Sequence, residues 1–142
     1  MADVNFYVLP SSSEQGRLNF ACKLAEKAYR AGNKIYMQTE NETQKNKLDD
    51  LLWTFRAGSF VPHQEFPSNE LDETNKVLIG TIEAPEGWQQ TIINLSSHCP
   101  ENPELAERIL EILDNDETVK NAGRKRYRHY QQSGFNINTY KM

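Results

Sequence analysis

The sequence predicts an α/β fold of Rossmann-like type: a mainly parallel, twisted sheet with helices on both faces, in three layers, formed as a single domain over residues 1–142. Three observations predict it. Short apolar runs alternate with longer stretches at helical spacing, which is the period of strand-helix-strand units. The length of 142 residues suits one hydrophobic core. The composition, 37% hydrophobic and 25% charged, is that of a globular chain rather than a disordered one.

The elements follow in order. Phe6 to Leu9 is a dense apolar and aromatic run closed by Pro10, as expected of a strand buried on both faces. Ser11 to Glu14 reads as a capping box, S-x-x-E, opening a helix. Leu18, Ala21, Cys22, Ala25, Ala28 and Tyr29 then recur at helical spacing, and Gly32 is placed to end that helix. Ile35-Tyr36-Met37 is a second strand. Asn41 or Thr43 caps a second helix with Leu48, Leu51, Leu52 and Phe55 on its inner face. Residues 53 to 75 read as irregular, because Gly58, Pro62 and Pro67 interrupt regular structure. Val77 to Gly80 and Thr91 to Leu95 are short buried strands, with a turn at Glu86-Gly87 between them. Arg108 to Leu113 fits either a helix end or a strand; the expectation is a short helix running into an edge strand that ends near Asp114. A long basic helix starts at Asp116 as N-cap and ends at Gly134, and the tail Phe135 to Thr139 folds back over the body.

Charge is unevenly spread. The chain carries 16 Lys and Arg against 20 Asp and Glu, a net of −4. From Thr118 onward there are six basic residues and no acidic one, so the first 117 residues carry ten basic and twenty acidic, a net of −10. Within the basic helix Lys120, Arg124, Tyr127, Arg128 and Gln131 fall on one face. Val119, Ala122, Gly123 and Tyr130 fall on a packing face, where Arg126 must snorkel or pair. A basic stripe edged by a tyrosine suits an acidic partner carrying something flat or apolar; the plain alternative is a solvated helix face. An acidic body repels a long nucleic acid from most directions, while a short acidic peptide still reaches the stripe.

Enzymatic signatures are missing. The connection after the first strand, Pro10 to Gly16, has neither G-x-G-x-x-G nor G-K-S/T, and Glu14 would repel a phosphate there. His63, His98 and His129 form no ligand pair at metal spacing, and the acidic run Glu70 to Glu73 has no histidine beside it, so no metal site and no cofactor are expected. Ser11 to Ser13 lack the context of a nucleophile elbow. His98 beside Cys99 leaves a cysteine nucleophile open, without an assembled base and oxyanion donor. No apolar run approaches membrane length, and the N-terminus lacks the regions of a secretory signal. Cys22 and Cys99 are expected as reduced thiols of a cytoplasmic protein.

The remaining signal lies between residues 53 and 63. Trp53, Phe55, Phe60 and Val61 are dense apolar residues for a connection, and those left outside the core would form an interaction patch. Two patterns in the chain are specific: L-W-x(6)-F-V-P-H, from Leu52 to His63, and R-Y-x-x-Y-x-x-x-G-F-N-x-N-T, from Arg126 to Thr139. With the opening N-F-Y-V-L they resemble the chi subunits of bacterial DNA polymerase III, accessory proteins of the clamp-loader complex, over nearly the whole chain. Residues 64 to 114 match that family only in pattern.

The resemblance implies an α/β fold without catalytic activity. It implies pairing with the psi subunit, which tethers chi to the clamp loader, and binding of the acidic C-terminal tail of single-stranded-DNA-binding protein, which ends in phenylalanine with a free carboxylate. Carried over, the tail-binding residues are Lys120, Arg124, Tyr127 and Arg128, with Gly134 and Phe135 shaping one end. The psi interface is expected at Trp53, Phe60, Val61, Pro62 and His63. Two rival readings are a nucleic-acid-binding module using the same stripe for phosphates, against which the −10 body speaks, and a degenerate nucleotide-binding enzyme.

Overall fold

The computed structural model describes residues 3–56, 61–68 and 76–142. Its centre is a seven-stranded sheet, parallel at every pairing: β1 (Asp3–Val8), β2 (Ile35–Gln38), β3 (His63–Phe66), β4 (Val77–Gly80), β5 (Thr91–Asn94), β6 (Arg108–Leu113) and β7 (Asn136–Lys141). The strand order is β3-β4-β2-β5-β6-β1-β7. Helices α1 (Glu14–Arg30) and α2 (Glu42–Thr54) cover one face, and α3 (Glu117–Gln132) covers the other, giving three layers.

Each strand divides its side chains between the two faces, because successive side chains point to opposite sides. In β6, Leu110 and Ile112 enter the core under α1 and α2, while Ile109 and Leu113 enter the core under α3. In β1, Val4 and Phe6 pack on the α3 side and Tyr7 packs toward α1 against Phe20. A third cluster, Tyr36, Leu78, Ala84 and Trp88, closes the α3 face where that helix does not reach.

The helix termini follow local chemistry. Asn41 caps α2 by accepting from the Gln44 N–H at 2.9 Å, and Asp116 caps α3 by accepting from the N–H groups of Thr118 and Val119. In α1 the cap is Ser13, whose hydroxyl accepts from Gly16 N–H at 3.2 Å; Glu14 is the first helical residue. The expected Ser11–Glu14 capping box is therefore out of register by two residues. Gly32 and Gly134, with φ of +87° and +82°, end α1 and α3 in the left-handed region that glycine adopts freely.

Three further expectations are corrected. Arg108–Leu113 is a strand throughout and lies inside the sheet between β5 and β1, not at an edge; the short helix before it is only a 3-10 turn at Pro103–Leu105. The irregular middle contains strand β3, which is polar enough to escape an apolar pattern. The tail does more than fold over the body, since β7 joins the sheet as its last strand beside β1. Cys22 is buried and Cys99 half-buried, both as free thiols. No described helix is long and apolar enough to cross a membrane.

Candidate functional site

The basic helix is phased by a buried ion pair. Glu111 on β6 is fully buried and accepts from Arg126 Nε at 3.1 Å and Nη2 at 3.0 Å through one carboxylate oxygen. Its other oxygen accepts from Tyr130 OH at 2.7 Å and Asn94 Nδ2 at 3.0 Å. Both carboxylate oxygens are thus satisfied, the condition under which a buried charge is tolerated. Burial works to lower the Arg126 pKa, but the Glu111 charge and hydrogen bonds hold it above the ordinary value. Burial, and then the Glu111 charge, push the Tyr130 phenol far up. Arg126, the residue expected to snorkel or pair, is paired.

Gly123 sits on the same face. A Cβ there would lie 2.6 Å from Leu113 Cδ1, so any larger residue would have to displace the Leu113 side chain where α3 packs on β6. With Gly123, Arg126 and Tyr130 turned inward, the neighbouring face of α3 looks along the sheet toward β1 and β7. There it borders an open groove of about 630 Å³.

The groove has an apolar floor of Phe6, Val8, Leu113 and Gly123. Tyr127 forms a wall, 37% exposed, its ring tilted against that of Phe6 at 5.4 Å between centroids. The rim carries Lys120, Arg124 and Arg128 from α3 and Lys141 from β7; among the described residues no carboxylate lines it. Arg124 donates to Asn121 Oδ1 at 2.5 Å, an exposed neutral partner. Lys120 donates to Asn115 Oδ1 and stands 3.7 Å from Glu117. The Arg128 and Lys141 side chains make no hydrogen bond or ion pair among the described residues. Chemically, this is a well for a flat or apolar group that carries negative charge.

Four of the expected tail-binding residues, Lys120, Arg124, Tyr127 and Arg128, are brought together at this groove. Gly134 and Phe135 are not. Gly134 ends α3, and Phe135, half-buried, packs edge-on against Tyr130 at 5.7 Å, against the core under α3. Sequence reasoning missed Lys141 and Thr139, which also line the groove. The signal was a lone lysine in a polar tail; only the parallel register Val8↔Lys141 brings it beside the helix.

Of the expected psi-contact residues, Trp53, Val61, Pro62 and His63 lie at the other end of the sheet. Trp53 is 52% exposed at the end of α2, with its ring 4.5 Å from that of His63. His63 is buried, its Nε2 3.1 Å from Asp49 Oδ1, and its Nδ1 is 2.7 Å from the Val61 carbonyl. Val61 is fully buried in the core under α1 and α2, Pro62 is half-buried, and Phe60 lies outside the described residues.

A second crevice, of about 250 Å³, opens at the C-terminal ends of the strands where α1 and α2 begin. This is where open α/β sheets commonly bind ligands. Here Arg17 is spent on the carbonyls of Ile112 and Leu95, and Glu40 accepts from Ser97 N–H and Oγ. Glu14 also lines the crevice. Two carboxylates at this position oppose a phosphate. No cluster of metal-ligating side chains occurs among the described residues.

Known proteins resemble this chain in fold and in sequence. The crystal structure of T4 UvsW aligns with a TM-score of 0.64 over 99% of this chain and 41% of that one, at 12% identity, a likeness of fold alone. DNA polymerase III subunit chi of Pseudomonas aeruginosa is 33% identical over 142 residues, covering 100% of this chain and 98% of the relative. The subunits chi of Escherichia coli and Haemophilus influenzae are 24% and 26% identical over 98% and 94% of this chain. The family described as DNA polymerase III chi subunit, HolC, matches residues 1–138, and the chain belongs to it.

Proposed function

We propose that this chi-family protein is a non-catalytic adaptor of the bacterial replication machinery, working in the cytoplasm. One surface pairs with the psi subunit and so reaches the clamp loader. The other holds the acidic C-terminal tail of single-stranded-DNA-binding protein. The observation that carries the reading is the groove beside α3: four cations and no carboxylate around an apolar floor. The tail's terminal ring fits against Phe6 and Tyr127, its carboxylate takes the fork of Arg124, and Lys120, Arg128 and Lys141 attract the aspartates upstream. For psi, the support is the half-exposed Trp53 beside a polar sheet edge at β3.

The test is a pull-down with single-stranded-DNA-binding protein, full length and lacking its last residues, followed by calorimetric titration of the tail peptide. Capture of the full-length protein alone is expected. Equal capture of both forms, or tight binding of bare single-stranded DNA with a steep salt slope, would replace this reading with direct nucleic-acid binding.

A further inference from the structure

We infer that the groove continues onto the open edge of β7, and that an acidic peptide held in the groove pairs its backbone with that edge as an eighth strand. The inference rests on the groove being a peptide site and goes beyond it, from an anchoring pocket to a strand-addition surface. Among the described residues β7 pairs only with β1. The phase of that pairing is fixed by the bond from Met142 N–H to the Val8 carbonyl at 2.9 Å and the register Tyr7↔Tyr140. In a parallel ladder alternate residues turn both backbone groups toward one neighbour. Asn138 and Tyr140 therefore spend theirs on β1, and Ile137, Thr139 and Lys141 present N–H and C=O to the open side.

The same alternation sorts the side chains. Tyr140 stacks on Tyr7 at 5.3 Å, on the α1 side. Thr139 and Lys141 line the groove, and Ile137, half-buried, packs against the core under α3. The residues with free backbone are thus those whose side chains face the basic groove. A chain leaving the groove meets unpaired donors and acceptors two residues apart, the repeat of an extended peptide. Charge selects the occupant: Lys141 on the edge and Arg124 and Arg128 opposite favour a peptide with acidic residues upstream of its anchor. A neutral strand, including the same edge of a second copy, gains nothing from them, and like charges at Lys141 oppose the copy.

The experiment is amide hydrogen exchange by NMR on the full chain, with and without a synthetic peptide of aspartates, alanines and a C-terminal phenylalanine with free carboxylate. On saturation, exchange at Ile137, Thr139 and Lys141 should slow about tenfold or more. A peptide series N-methylated at successive positions should lose binding at every second position, about tenfold where a paired N–H is removed. If the Arg124 and Tyr127 signals shift while the three amides and the methylated series are unaffected, the peptide occupies the groove without the edge and the inference is overturned. If Arg124 and Tyr127 do not respond, the groove reading itself fails and this one with it.

Discussion

Arg126 and Glu111 sit on different elements, α3 and β6, yet two guanidinium nitrogens converge on one carboxylate oxygen at 3.1 and 3.0 Å, both side chains buried. The pair fixes the rotation of α3 about its own axis. With Arg126 inward, Tyr127 falls at the groove wall, and Arg124 and Arg128 fall on the rim. An interior charge pair thus aims exterior charges.

Removing one partner tests this. Arg126→Ala leaves the Glu111 carboxylate buried without its cation and should destabilise the fold by about 3–5 kcal/mol. Urea denaturation measures it. A loss under about 1 kcal/mol would mean that the pair does not hold the helix.

Arg124 carries the strongest binding expectation. Arg124→Ala should cost about 2–4 kcal/mol of tail-peptide affinity with stability unchanged, as hot-spot arginines do. Arg124→Lys should recover only part, because a point charge lacks the fork. Lys120→Ala should cost about 0.5–1 kcal/mol, shrinking as salt rises. Titration calorimetry of each variant at two salt concentrations separates these. Wild-type affinity in Arg124→Ala with failure in Lys125 or His129 variants would mean that the peptide uses another face.

At the far edge, Trp53→Ala should weaken psi binding by roughly 2 kcal/mol; Phe60→Ala, at a position outside the described residues, should cost about as much. Val61→Ala should instead destabilise the fold by about 2 kcal/mol, since its side chain is core. Strands β3 and β7 are the two ends of the sheet, six strand spacings of about 4.8 Å apart. Trp53 and Arg124 effects should therefore add within about 0.5 kcal/mol in a double-mutant cycle.

Stability should fall in alkali. Burial pushes the Cys22 thiol from 9.0 up to about 12, and raises the phenols of Tyr36 and Tyr130 above their ordinary value. Above pH 9 the unfolded chain releases the Cys22 proton and the folded chain keeps it, so unfolding is increasingly favoured. The loss is about 1.4 kcal/mol per pH unit for this group, ending near its folded value. Burial raises the Cys99 thiol as well, so Cys22→Ala should reduce the slope above pH 9 and leave the Cys99 share, read from urea midpoints at successive pH values.

The helix faces were legible because amphipathic spacing is local: Gly123 and Tyr130 on one side, Arg124 and Arg128 on the other, follow from residue number alone. Arg108–Leu113 was not, because its central charged residue, Glu111, looks like an exposed helix position until Arg126 is placed beside it. That pairing is tertiary, as are the register that brings Lys141 to the groove and the packing that turns Phe135 against Tyr130. Strand β3 was illegible because three of its four residues, His63, Gln64 and Glu65, are polar and its neighbour β4 supplies the apolar ladder.

The position of β1 bears on how the molecule is made. Its two neighbours, β6 and β7, are the last strands of the sheet in chain order. On the ribosome β1 emerges first and waits for roughly a hundred residues, on the order of ten seconds of synthesis, before either partner exists. Its apolar Val4, Phe6 and Val8 are exposed meanwhile, so the nascent chain is the form most in need of a chaperone. Completion of the sheet, of the Phe6 floor and of the Lys141 rim is then one late event. A chain halted before β7 would lack the Thr139 and Lys141 side of the groove along with the strand.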